Sequence, residues 1–284
     1  MTIGRFVGTF LYVLAFSVAT LSFSLSISLA RINGSRAAVV MEASTGKILW
    51  AKNPDHRLPP ASTAKLMTAI LVLEKGDLSR MVTISKNACR VQPLKAGFKL
   101  GDRVTVEELL YAALLRSAND AAVALAEAVA GSEERFVLLM NQKAVEIGAT
   151  HTKFINASGL PGPRQYITAA DLSRIMKVAL GYPKLKEVIG TPAVELSIEN
   201  GATLFLKSTN KLLSSDEALI GGKTGYTARA GHCFVCAAER EKEIIIVAIL
   251  GSPSRKRLWD EARELIGRGF QMITAAARPT IPRL

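Results

Sequence analysis

Apolar and polar positions divide this chain into stretches of different texture. Residues 1–5 carry one arginine, and 6–30 are apolar or hydroxylated throughout, with no charge. Residues 36–52 alternate around Ser44-Thr45-Gly46, the pattern of a β-hairpin with a glycine turn. Pro59-Pro60-Ala61 then stops regular structure, and from Ser62 the residues Leu66, Met67, Ile70, Leu71 and Leu73 recur at helical spacing. Two more helices are predicted over 106–116 and 120–130, broken at Ser117-Ala118-Asn119, with others over 133–147 and 169–180. A loop rich in glycine and proline, 156–164, separates that last pair. Strand texture follows over 193–206, 220–226, 231–237 and 243–250, and an amphipathic helix over 259–273. Strands thus come from both ends of the chain with helices between them. The expected fold is α/β in the α+β sense: an antiparallel sheet of about five strands, flanked by helices, with a central helical block.

Composition refines this picture in three places. Uncharged residues 6–30 end in Ser28-Leu29-Ala30, small residues where a signal peptidase reads, and Arg31 begins the polar chain. Residues 1–30 are therefore expected to be a secretory signal or an N-terminal membrane anchor, and 31–284 one exported domain with its core over about 37–270. The formal net charge of +12 favours anionic partners, but Arg255-Lys256-Arg257 is the densest basic run and no nucleic-acid motif accompanies it, so no nucleic acid is expected. Three cysteines make no disulfide framework. Cys233 and Cys236 have CxxC spacing but lie in a strand, where residues three apart point to opposite faces, so both are expected in the core. The three histidines have no metal-ligand spacing, and no cofactor or metal is expected.

Three short motifs carry chemistry. In Ser62-Thr63-Ala64-Lys65 the serine and lysine stand three apart at a helix start, on one face. A serine hydroxyl needs an adjacent base, and lysine serves as one only when burial or a second cation depresses its pKa. Lys223 is the expected second cation. Ser117-Ala118-Asn119 offers a hydroxyl for proton relay and an amide to hold a substrate carbonyl or position Lys65. In Lys223-Thr224-Gly225, flanked by Gly221 and Gly222, the glycines let a ligand lie against an edge strand, so that a peptide adds as a further strand and Lys223 and Thr224 grip a terminal carboxylate. The backbone N–H groups of Ser62 and Tyr226 complete an expected oxyanion hole. Each motif alone is weak, since Ser62 also reads as a helix cap and Ser117 and Asn119 as ordinary caps. Their order and structural context together are specific.

The set resembles the low-molecular-mass penicillin-binding proteins, in particular the serine D-alanyl-D-alanine carboxypeptidases. The likeness extends from about residue 37 to 270 and includes Pro60-Ala61-Ser62-Thr63-Ala64-Lys65-Leu66-Met67-Thr68, Ser117-Ala118-Asn119-Asp120-Ala121, Phe154-Ile155-Asn156-Ala157-Ser158-Gly159-Leu160-Pro161, Thr168-Ala169-Ala170-Asp171-Leu172, Thr209-Asn210-Lys211-Leu212-Leu213 and Gly222-Lys223-Thr224-Gly225-Tyr226-Thr227. It implies a β-lactamase/DD-peptidase-like fold and a two-step reaction through an acyl-enzyme on Ser62, with Lys65 as base. The implied partners are peptidoglycan stem peptides ending in D-Ala-D-Ala, with β-lactams as inhibitors, and the implied location is the periplasm or the outer face of the cytoplasmic membrane. Family members often carry a further β-rich domain and a C-terminal anchor. Neither is expected here, so any inner-membrane association is expected through the N-terminus. The family also tends to place a carboxylate-binding arginine before the last helix. Arg255 and Arg257 are the candidates, and Arg257 is the expected one.

Rival readings share parts of this set. A class A β-lactamase needs a water-activating carboxylate between the second and third motifs, and no E-x-x-x-N element lies there. A DD-endopeptidase cutting cross-links would use the same site, whereas the large synthetic transpeptidases are longer chains. A non-catalytic wall-binding module would tolerate loss of Ser62 or Lys65, and both are present.

Overall fold

The computed structural model describes residues 34–199 and 201–277. The segment 1–30, read as signal or anchor, lies outside them. Among the described residues no helix is long and apolar enough to cross a membrane. Five antiparallel strands form the main sheet in the order β2-β1-β9-β8-β7: β1 (Ala37–Glu42), β2 (Ile48–Lys52), β7 (Leu219–Thr227), β8 (Gly231–Arg240) and β9 (Glu243–Ser252). The predicted hairpin is β1-β2, and β1 pairs with β9 from Ala37↔Leu250 to Glu42↔Ile245, joining the two ends of the chain.

Helices cover this sheet on both faces, so its strands read as apolar runs although they are antiparallel. The two-residue period sorts the side chains. Val39, Met41, Cys233, Val235, Ile246 and Ala248 face the helical block, whereas Val40, Phe234, Cys236, Val247 and Ile249 face a C-terminal helix. Cys233 and Cys236 thus lie in opposite core layers, as their strand spacing requires. The helical block contains α1 (Lys65–Lys75), α2 (Lys86–Arg90), α3 (Val106–Leu115), α4 (Asn119–Ala130), α5 (Glu133–Glu146), α6 (Ala169–Ala179) and α7 (Pro183–Gly190). In α1 all residues from Lys65 to Val72 are buried, the mark of a core helix rather than a surface one.

Four elements, two helices and two strands, carry little apolar periodicity and escape the sequence pattern. Helix α2 is one turn capped by Ser85, and α7 opens with Pro183 in its first turn. Strands β3 (Met81–Thr83) and β4 (Arg103–Thr105) make a separate short ribbon. Strands β5 (Ala193–Ser197) and β6 (Thr203–Lys207) make another two-stranded sheet outside the main one. The last helix, α8 (Arg255–Ala277), begins four residues before the predicted 259. Its first turn, Arg255-Lys256-Arg257, is charged, and the Ser254 hydroxyl accepts the Arg257 N–H at 3.2 Å.

Tight packing around Ser62 depends on glycine at two places. Gly159 has φ +80°, and a Cβ there would stand 1.8 Å from the Ala61 carbonyl oxygen. Gly225 on β7 would put a Cβ 2.8 Å from the Ser62 amide nitrogen. By contrast, a Cβ at Gly267 in the interior of α8 meets nothing within 4 Å. Gly159→Ala is expected to cost about 2–4 kcal/mol from left-handed strain plus overpacking. Gly267→Ala is expected to gain about 0.5–1 kcal/mol. Urea melts of the two variants check both signs, with the slope unchanged.

Candidate active site

Ser62 lies in a 3-10 turn, Ala61–Ala64, that leads directly into α1. The turn is pinned by the Thr63 hydroxyl, which donates to the Pro60 carbonyl at 2.6 Å. Lys65, one turn on, is fully buried, and three oxygens surround its Nζ: Ser62 Oγ at 3.0 Å, Asn119 Oδ1 at 2.7 Å and the Ser158 carbonyl at 2.8 Å. The Asn119 amide is oriented by its other end, where Nδ2 donates to the Pro93 carbonyl. Two of the three oxygens around Lys65 are therefore pure acceptors and must each receive an N–H. A neutral amine has two such protons, so its lone pair is left for the Ser62 hydroxyl. Burial, and after it the nearby Lys223 cation, hold Lys65 well below the ordinary lysine value, while the Asp120 carboxylate opposes them.

The Ser158 carbonyl is held in place by one bond within its loop and two from neighbouring helices. The Gly159 N–H donates to Asn156 Oδ1 at 2.7 Å, the Ala157 N–H to Glu133 Oε1 at 2.9 Å, and Thr68 Oγ1 to the Ala157 carbonyl at 2.7 Å. Ser158 belongs to the stretch 154–161, which carries the family resemblance but no side chain with an expected role. Its contribution is a main-chain oxygen, which no side-chain pattern announces.

Ser117 closes α3 in a left-handed conformation, φ +64°, that only surrounding structure sustains in a serine. Its Oγ accepts from Lys223 Nζ at 3.0 Å, leaving its own proton free to donate. Lys223 also donates to the Thr224 carbonyl at 3.0 Å, and burial brings its pKa down to about 7. Strand β7 is an edge strand, as the third motif requires, and Thr224 Oγ1 and Thr209 Oγ1 share a hydrogen bond at 2.6 Å.

Ser62, Ser117, Thr209, Thr224, Gly225 and Tyr226 line one cleft of ≈ 270 Å³, along with Leu94, His232 and Arg255. Lys65 and Lys223 are buried and are not among the residues that line it. The expected Arg257 does not line this cleft. Its Nε is 3.8 Å from Glu261 Oε1, and its stem lies beside Gly34. Arg255, two residues earlier and therefore about 200° around the helix, lines the cleft instead. His232, which the sequence did not single out, stacks on Tyr226 with ring centroids 4.4 Å apart, and burial followed by the Arg255 charge holds its pKa below the usual imidazole value.

The arrangement has close relatives. Residues 27–254 match the family model described as D-alanyl-D-alanine carboxypeptidase. The D-alanyl-D-alanine carboxypeptidase DacF of Bacillus subtilis is 34% identical over 240 residues, covering 83% of this chain and 62% of its own length. DacC of Escherichia coli is 34% identical over 248 residues, covering 83% and 61%. This chain therefore spans about three fifths of the length of each. A crystal structure of a D-alanyl-D-alanine carboxypeptidase from Mycobacterium tuberculosis superposes with TM-score 0.80 at 32% identity, over 84% of this chain and 91% of its own. Fold, motif order and the match from residue 27 to residue 254 agree: the chain belongs to the D-alanyl-D-alanine carboxypeptidase family.

Proposed function

We propose that this protein is an exported serine carboxypeptidase that removes the terminal D-alanine from peptidoglycan stem peptides. The observation that carries the reading is the buried Lys65 amine, whose lone pair is left for Ser62 Oγ at 3.0 Å. Ser62 Oγ attacks the carbonyl between the two D-alanines as its proton passes to Lys65. Charge developing on that carbonyl oxygen is met by the backbone N–H groups of Ser62 and Tyr226. The C–N bond then breaks, and the leaving amine takes a proton through Ser117, which is replenished from Lys65. Asn119 acts by positioning Lys65. Water, losing a proton to Lys65, finally cleaves the acyl ester and restores Ser62. The substrate lies along the β7 edge beside Gly225, with its carboxylate toward Thr224, Arg255 and the buried charge of Lys223. A β-lactam acylates Ser62 in the same way and leaves slowly. Residues 1–30 carry the chain to the outer face of the cytoplasmic membrane or the periplasm, and tether it wherever they are retained.

Three outcomes are expected. The purified protein should release D-alanine from diacetyl-L-Lys-D-Ala-D-Ala, and Ser62→Ala should lower that release by roughly three orders of magnitude or more. Labelling of Ser62 by a fluorescent penicillin without any release would instead favour a cross-link endopeptidase. Lys223→Gln removes the cation beside Lys65, so protonated Lys65 becomes easier to form and its pKa rises. The acid limb of the penicillin acylation rate against pH should accordingly move to higher pH, and a limb that stays in place would contradict the electrostatic role. Arg255→Ala should raise the KM for the tripeptide by roughly tenfold to a hundredfold, the value of a charge-assisted hydrogen bond. Arg257→Ala should leave KM within about twofold, since Arg257 does not line the cleft.

A further inference from the structure

The mouth of the cleft holds a leucine that does nothing for the core. Leu94 is 59% exposed yet lines the same cleft as Ser62 and Ser117. Its backbone is left-handed, φ +57°, a conformation that costs a residue with a Cβ about 1–2 kcal/mol. Strain of that kind persists only where neighbours impose it, and it gathers at functional sites. The neighbours here belong to the first turn of α4. The Leu94 carbonyl accepts the Asn119 N–H at 2.8 Å, and the Pro93 carbonyl accepts Asn119 Nδ2. On the other side the buried Asp120 carboxylate accepts the N–H groups of Ala96 at 3.0 Å and Gly97 at 3.2 Å. The asparagine that holds Lys65 therefore also holds Leu94 at the cleft mouth.

The lining of the cleft is mixed in chemistry. Thr209, Thr224, Tyr226, His232 and Arg255 bring hydroxyls, aromatic edges and a cation, suited to the carboxylate of the leaving residue, and Leu258 and Trp259 line it as buried side chains. Leu94, hung from the helical block, is the exposed aliphatic group in that lining. In a peptide laid along the β7 edge, successive side chains point to opposite sides. On the carboxypeptidase reading, we propose that Leu94 is a specificity-determining contact, an apolar lip for the aliphatic side chain of the residue preceding D-Ala-D-Ala.

The test compares D-alanine release from diacetyl-L-Lys-D-Ala-D-Ala and from acetyl-Gly-D-Ala-D-Ala by wild type, Leu94→Ala and Leu94→Gly, with the melting temperature of each. Wild type should favour the lysyl peptide. Both variants should lose about tenfold in kcat/KM on it and change less than about threefold on the glycyl peptide. Leu94→Gly accepts the left-handed backbone freely and should melt at or above wild type, so its loss cannot come from unfolding. An unchanged ratio between the peptides in both variants overturns the assignment, as does an equal loss on both peptides together with a lower melting temperature, which marks a structural role. A wild-type protein that releases D-alanine from neither peptide overturns the carboxypeptidase reading itself and this contact with it.

Discussion

A lysine amine with no access to solvent governs this structure. Burying an ammonium ion is costly, and burial holds the Lys65 pKa well below the ordinary lysine value. The neutral amine needs partners for two N–H bonds, which Asn119 Oδ1 and the Ser158 carbonyl supply, and it leaves one lone pair for Ser62. Each partner comes from a different part of the chain: Ser62 from the turn before α1, Asn119 from the start of α4, and Ser158 from the loop before α6. Around this one nitrogen the helical block is assembled.

The second lysine extends the same logic to the sheet. Lys223 is carried on β7, and its bond to Ser117 Oγ ties the edge of the sheet to the end of α3. It is also the second-largest cause of the depressed Lys65 pKa, so sheet and helices are coupled electrostatically as well as by packing. Close approach makes this possible. Gly225 lets β7 lie against the Ser62 turn, and Gly159 lets the Ser158 loop lie against Ala61. Ala61, Leu94 and Ser117 all take left-handed backbones around the cleft, so conformational strain is concentrated where the side chains must converge.

What the sequence by itself determined is local or repetitive. The i, i+3 spacing of Ser62 and Lys65, the glycines around Lys223, and the two periods of apolar residues all report through short-range geometry. They specify the helices, the strands of the main sheet and most of the cleft residues, and the antiparallel joining of both chain ends follows from strand texture at each. Only the tertiary structure decided which distant groups meet. The Ser158 carbonyl is a main-chain atom common to every residue, and its meeting with Lys65 depends on a loop folded 93 positions away. That Arg255 and not Arg257 lines the cleft turned on where α8 begins, and a charged first turn hides that start from an apolar pattern. Leu94 reads as one more apolar residue until its exposure and left-handed backbone set it at the cleft mouth. Periodicity encodes which face a side chain takes, whereas convergence on one site is a property of three-dimensional packing.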